Sequence, residues 1–282
     1  MLTRLLVAGA FLASCFVIYQ FLNGVTYRHS ALSGGRASFV VGGQEENPNA
    51  FASDLLLPFS LALAAFLSAR RKLDKILGIG AAVVIASAVF LTMSRGAILA
   101  IALIFTIFLF KGGVKRRLLA VAGALLLMVA TMPTTFFYRL QTAISTGGAG
   151  RLEIWQASLF VLKRYWLIGA GLNNYTAAYY QFAGYAPSFV GFGRGAHNIF
   201  LEAAVEVGIV GLVLTCVAIG STFRALRRFR QGLVGMPSIR ALALECACWA
   251  TLLDGFFESG TWHKSFWLTW MLALMATRLR EA

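Results

Sequence analysis

Phe51-Ala52-Ser53-Asp54-Leu55-Leu56-Leu57-Pro58-Phe59-Ser60-Leu61-Ala62-Leu63-Ala64-Ala65-Phe66-Leu67-Ser68-Ala69 carries a single charge and stops at Arg70-Arg71-Lys72. An apolar run of this length has the reach of a membrane-spanning helix. The basic cluster that closes it marks a cytoplasmic end. Working outward, apolar runs over 2–22, 76–94, 97–111, 118–137, 199–222, 240–259 and 262–277 join the run over 52–69, so eight spans are expected. The fold class this predicts is all-α, a polytopic transmembrane helical bundle. Composition agrees: 59% of the 282 residues are hydrophobic and the mean hydropathy is +0.75. A soluble domain of this size does not bury so much apolar surface, and lipid has to solvate much of it.

The chain carries a formal net charge of +14. Its basic residues lie in clusters at alternate connections: Arg70-Arg71-Lys72 with Lys75, Lys111 with Lys115-Arg116-Arg117, Arg224 with Arg227-Arg228 and Arg230, and Arg278 with Arg280. With Arg4 and Arg240 these place sixteen of the 25 Lys and Arg on one face, which the positive-inside rule makes cytoplasmic, with both termini inside. The clusters therefore read as orientation signals with membrane lipids as partners, and no nucleic-acid partner is expected. At the N-terminus, Leu12-Ala13-Ser14-Cys15 resembles a lipoprotein processing site, but the apolar run continues to Leu22 and is taken as a first span. Cys15, Cys216, Cys246 and Cys248 lie in apolar runs without zinc or disulfide spacing and read as packing or lipid-facing residues.

Three segments face outward: 23–51, the turn around Ser94-Arg95-Gly96, and the long stretch 138–198. No repeat or low-complexity linker divides the chain, so 1–282 is expected to form one integral membrane domain with 138–198 as its large outer loop. Within that loop Leu152, Trp155, Leu159, Leu162 and Trp166 recur at helical spacing among Glu153, Gln156, Lys163 and Arg164. This predicts an amphipathic helix over 151–166, resting on the membrane interface or on the bundle. Gly169-Ala170-Gly171 ends it.

Arg95 lies between two apolar spans, where a cation needs a partner or must reach the headgroups. It either snorkels or binds an anion, whose oxygens a guanidinium grips in pairs. His197-Asn198 stands where the long loop re-enters the membrane. Asn198 suits a helix N-cap, and His197 is either structural, a proton acceptor for a hydroxyl, or a phosphate ligand. Glu202 and Glu206 lie four apart on one helical face, and Gly208 with Gly211 would let a neighbouring helix approach. There are only three aspartates, Asp54, Asp74 and Asp254, and the one outward cluster of carboxylates is the adjacent pair Glu45-Glu46. A Mg²⁺- or Mn²⁺-dependent site is not expected, nor is a nucleotide-binding loop, so no cofactor is predicted.

Several of these pieces, in this order, resemble the O-antigen ligase and polymerase family: Asn47-Pro48-Asn49, Thr92-Met93-Ser94-Arg95-Gly96, Arg151-Leu152-Glu153-Ile154-Trp155, Gly169-Ala170-Gly171, His197-Asn198-Ile199-Phe200-Leu201 and Glu206-Val207-Gly208-Ile209-Val210-Gly211. The resemblance covers about 40 to 222. It implies an enzyme of the bacterial inner membrane, with a periplasmic active site that moves a glycan from an undecaprenyl-pyrophosphate carrier to an acceptor without a metal. Arg95 and Arg151 would hold the pyrophosphate and His197 would activate the acceptor hydroxyl or orient the pyrophosphate. Arg36, Arg194, Asn198 and Trp155 are further candidates for substrate binding. Neutralising the charge that grows on the departing pyrophosphate would be the main source of rate. The implied partners are the lipid-linked glycan, lipid A-core or another glycan acceptor, and membrane lipids. The chain departs from the family pattern in lacking a proline just before Gly169-Ala170-Gly171. It also shows fewer spans than members usually carry, as expected of a short homologue or a chain with an internal start.

A ligase attaching finished O-antigen to lipid A-core is slightly favoured over a polymerase extending the chain on its carrier, because the long outer loop is followed by His197-Asn198. A transporter remains as a reading from another class, prompted by Asp54, Glu245 and Asp254 within spans, although neither repeated halves nor broken helices are evident. A catalytically silent truncated homologue is a third.

Overall fold

A computed structural model of the protein describes residues 2–27, 35–111, 136–138, 141, 150–185, 191, 195–259 and 263–278. The described residues are almost all helical. The helices are α1 Leu2–Leu22, α2 Pro48–Asp54, α3 Leu56–Ser68, α4 Lys72–Leu91, α5 Arg95–Lys111, α6 Arg151–Tyr165, α7 Tyr175–Phe182, α8 Ile199–Gln231, α9 Met236–Gly255 and α10 Lys264–Arg278. One small antiparallel hairpin, β1 Val40–Val41 with β2 Gln44–Glu45, turns through Gly42 and Gly43, both at positive φ. A two-residue turn with that twist needs positive φ at both positions, which glycine supplies without a Cβ penalty.

Among the described residues four helical segments are long and apolar enough to cross a membrane: α1, α2 continued into α3 (Pro48–Ser68), α4 and α8. The protein is thus a multi-pass, all-α membrane protein. The stretches expected as spans over 97–111, 240–259 and 262–277 form α5, α9 and α10. With 17 and 15 residues, α5 and α10 rise only about 25 Å or less. α9 has 20 residues but carries Arg240, Glu245 and Asp254. The expected span 118–137 lies outside the described residues save for its last two.

The chain packs as two compact units. The first comprises residues 1–132, 223–254 and 265–282. Here α3 and α4 pack closely because Gly78 has no side chain: a Cβ there would stand 2.7 Å from the Phe66 backbone nitrogen. The buried Ser60 hydroxyl donates to the Ala243 carbonyl at 2.8 Å, tying α3 to α9. Phe223 stacks on Trp249 with ring centroids 4.2 Å apart and meets Trp270 edge-on. Glu245, expected inside a span, accepts from Lys111 at 2.7 Å and from Arg230 at 2.9 Å. It is held by the cationic ends of α5 and α8. Ser53 hydrogen-bonds Asp254. All four cysteines are free.

The second unit comprises residues 133–222 and 255–264. Its core is Ile154, Ala157 and Val161 of α6 against Tyr175, Ala178 and Tyr179 of α7, with Ala183, Ala196 and Val205. The helix over 151–165 lies within the expected 151–166, and the side it buries within the unit is made of Ile154, Ala157, Ser158 and Val161. Leu152, Leu159 and Trp166 of the predicted stripe are exposed, whereas small Ala157 and Ser158 face inward and leave room for the Tyr175 and Tyr179 rings. Burial pushes the Tyr175 phenol well above its ordinary pKa, against the opposing pull of its hydrogen bond with Ser158.

α8 is broken at Gly208, where φ is 67° and ψ is −172°, a region open to glycine and to almost nothing else. The break differs from the helix-packing role expected of Gly208. Four of the backbone groups flanking the break are taken up by the segment 166–171. Ala170 and Gly171 donate to the Val205 and Glu206 carbonyls at 2.8 and 2.9 Å, and Ile209 and Val210 donate to the Trp166 and Leu167 carbonyls at 2.8 and 3.4 Å. The approach is close enough to need glycine on both sides. A Cβ on Gly208 would meet the Leu167 oxygen at 2.2 Å, and one on Gly169 the Glu206 oxygen at 2.3 Å. Glu202 and Glu206 are buried on the short N-terminal piece of α8, where Glu206 accepts from the Tyr175 amide at 3.2 Å.

Candidate active site

The sequence-predicted residues fall into two groups, one in each unit. In the first unit Arg36 and Arg95 share a neighbourhood. Arg36 is buried; its Nε donates to the Thr92 carbonyl at 2.7 Å, and Nη2 donates to the side chain of Asn49. Asn49 follows the start of α2, where Asn47 caps the helix by accepting from the Asn49 amide at 2.9 Å and Pro48 occupies the first turn. The Ala37 amide donates to the Leu91 carbonyl at 2.9 Å. Asn47-Pro48-Asn49, Arg36 and the end of α4 therefore form one brace behind the turn Thr92-Met93-Ser94.

That turn holds a non-glycine residue in the left-handed region, Met93 at φ 53°. Arg95 is the first residue of α5, which begins two residues before the span expected over 97–111. It is part-buried, and no described residue pairs with its guanidinium. Burial lowers its pKa from the ordinary value, yet an arginine keeps its charge at neutral pH. A cation at the positive end of a helix dipole is disfavoured. The same dipole and the same guanidinium attract one ligand in common, an anion.

In the second unit Arg151, Trp155, His197 and Asn198 come together around a loop that sequence reasoning missed. α9 ends at Gly255, four residues before the expected span end, and leaves Phe256 to Ser259 outside the helix. Three consecutive residues of this loop each hold a site residue. The Phe257 carbonyl accepts from Arg151 Nη2 at 2.7 Å, with the guanidinium 5.8 Å from the Phe257 ring centre. Glu258 Oε2 lies 3.8 Å from His197 Nδ1. The Ser259 hydroxyl accepts from the His197 amide at 2.9 Å.

His197 is itself in the left-handed region at φ 46°, which costs a non-glycine residue roughly 1–3 kcal/mol. Its neighbours fix it there. Asn198 Oδ1 caps α8, accepting from the Phe200 and Leu201 amides at 3.0 and 3.1 Å. Trp155 Nε1 donates to the Ala196 carbonyl at 2.9 Å. Gly195 leaves room for the Ser259 hydroxyl, which a Cβ would meet at 2.5 Å. Arg151 opens α6 after Gly150 at φ 84°, with Glu153 in the same first turn. Arg194 lies outside the described residues. The signal that could have exposed Glu258 is Gly255 followed by a charge, a pattern that ends helices.

Chemically, the second unit presents an imidazole beside a carboxylate and a guanidinium, and the first presents an arginine at a helix N-terminus. An arginine at a helix N-terminus can hold an anion, and an imidazole beside a carboxylate can take up a proton. Residues 80–216 match the model of the O-antigen ligase family, the family that the motifs at Arg95, Arg151 and His197 resemble. The matched stretch contains Arg95, Arg151, Trp155, Arg194, His197 and Asn198 and leaves Arg36 and Glu258 outside. The chain is also 27% identical over 243 residues to the exopolysaccharide production protein ExoQ of Rhizobium meliloti (strain 1021), covering 80% of this chain and 54% of that one. It thus spans about half the length of the curated relative it matches.

Proposed function

We propose that this protein is a glycosyltransferase of the bacterial inner membrane that transfers a glycan from undecaprenyl pyrophosphate to an acceptor hydroxyl on the periplasmic face, without a metal. The observation that carries this is the grouping of His197, Arg151 and Trp155 around one loop, within a chain that matches the O-antigen ligase family over residues 80–216. The proposed topology has about eight spans in one membrane domain with both termini cytoplasmic. The segment 138–198 is then the large periplasmic loop, so that His197 and Arg151 meet substrate outside the cytoplasm.

In the reaction, the acceptor oxygen forms a bond to the anomeric carbon as the bond from that carbon to the pyrophosphate oxygen breaks. The electron pair leaves with undecaprenyl pyrophosphate, and the acceptor proton passes to His197 Nε2. Arg151 would stabilise the negative charge that develops on the leaving group. Arg95 is proposed as a phosphate ligand on the strength of its charge, its helix N-terminus and the lack of a described partner. Arg36 supports it by bracing the turn before it. Trp155 and Asn198 serve by holding Ala196 and the start of α8, and with them His197. Arg194 is proposed as a further substrate contact.

Lipid A-core is the favoured acceptor, which makes the protein a ligase. The similarity to an exopolysaccharide production protein favours a second reading, a polymerase that extends the glycan on its lipid carrier. Proteoliposomes given undecaprenyl-pyrophosphate oligosaccharide with and without lipid A-core separate the two. Carrier release that requires lipid A-core and yields a glycosylated core is the expected outcome. A ladder of longer lipid-linked glycans supports the polymerase, and no release from correctly inserted protein overturns both.

A further inference from the structure

Behind the histidine ring stands a carboxylate with no other described partner. His197 Nδ1 and Glu258 Oε2 face each other at 3.8 Å. Both atoms are shut off from solvent, and neither has a hydrogen-bond partner among the described residues. Leaving one such buried group unsatisfied is destabilising. Two that face each other satisfy one another once the gap closes by about 1 Å to hydrogen-bond length, and catalytic contacts commonly tighten in this way when substrate arrives. The side chains differ in access: that of His197 is 27% exposed and that of Glu258 is 11% exposed. Nδ1 is thus buried on a side chain that is otherwise partly open.

The backbone leaves this geometry little freedom. His197 is held at φ 46°, its amide is bound by Ser259, and Asn198 immediately starts α8. Ser259 is the neighbour of Glu258, so one dipeptide grips both the main chain and the ring of the histidine. Arg151 fastens the same loop one residue earlier, through Phe257.

We infer that Glu258 is the positioning residue for His197. It accepts a hydrogen bond from Nδ1–H, which fixes the tautomer whose Nε2 is free to take a proton, and it stabilises the imidazolium that forms. The inference rests on the proposed role of His197 as general base. When the acceptor hydroxyl gives its proton to Nε2 and the pyrophosphate leaves with its electron pair, Glu258 stays ionised and balances the new positive charge.

The test uses the full chain in lipid nanodiscs, labelled with ¹⁵N-histidine. The protein has three histidines, and the resonances lost in His197→Gln are those of His197. Neutral His197 should carry its proton on Nδ1. In Glu258→Gln, whose amide can donate to Nδ1, the proton should move to Nε2. Turnover should then fall about 100-fold, with the KM for lipid-linked donor changed by no more than about 3-fold, and Glu258→Asp should restore part of the loss. A wild-type His197 protonated on Nε2 overturns the inference, as does unchanged turnover in Glu258→Gln. If Glu258→Gln fails to insert, the wild-type tautomer alone decides. If wild-type protein transfers no glycan, the proposed function fails, while the spectrum still reports whether Glu258 sets the tautomer.

Discussion

The turn before Arg95 and the loop at His197 both force a non-glycine residue into the left-handed region, and they use it in opposite ways. In the first unit the strained residue is Met93, an apolar side chain that is buried. The functional charge follows two residues later with no described partner. At the second loop the strained residue is His197, the proposed proton acceptor itself. The amide of His197 is bound, its ring faces a carboxylate, and the residues on either side are tied down by Trp155 and Asn198. The first region offers a charge that awaits a counter-ion; the second offers an oriented acid–base group. Binding energy and proton transfer are thus assigned to different local architectures, and substitutions in the two should behave differently.

The largest effect expected from breaking this contrast is at Arg95. Arg95→Ala should lower turnover about 100- to 1,000-fold, the scale seen when one stabilising donor is removed. Arg95→Lys should recover only a small part of that, because an ammonium keeps the charge but loses the planar fork. Release of undecaprenyl pyrophosphate measures both, and full rescue by lysine would remove the bidentate contact from the account.

A smaller effect follows at the backbone that frames the second unit. Gly208→Ala adds a Cβ 2.2 Å from the Leu167 oxygen at a positive φ. It should destabilise the protein by about 3 kcal/mol or more. Gly220→Ala, in the same helix with open space around its Cβ, should be neutral or stabilise by up to about 1 kcal/mol. Thermal unfolding in one detergent compares them, and equal costs would contradict the described break. Smallest is Ser259→Ala, which removes the hydrogen bond to the His197 amide and should cost about 1 kcal/mol, read by the same unfolding measurement.

Much of the first unit was legible because hydropathy and charge change together. α1 covers the expected 2–22, and the opening run ends at Ser68, just before Arg70. The differences arise where composition and conformation part. Phe256 and Phe257 extend the apolar run past Gly255, so hydropathy places the end of α9 too late and hides Glu258 inside a span. The stripe on α6 was counted from its large residues, but two adjacent tyrosine rings pack against its small ones. Gly208 looks the same in sequence whether it lets a helix approach or breaks one; only φ and the partners of the freed amides distinguish them. The family motifs located Arg95, Arg151 and His197 but carried no sign of the loop 257–259, because its role comes from contacts between distant segments.

The most direct test of the central claim is turnover and donor binding of His197→Ala in proteoliposomes with lipid-linked oligosaccharide. The account predicts that turnover falls about 100-fold or more while the variant inserts normally and still binds the lipid-linked donor. Turnover equal to wild type would contradict it.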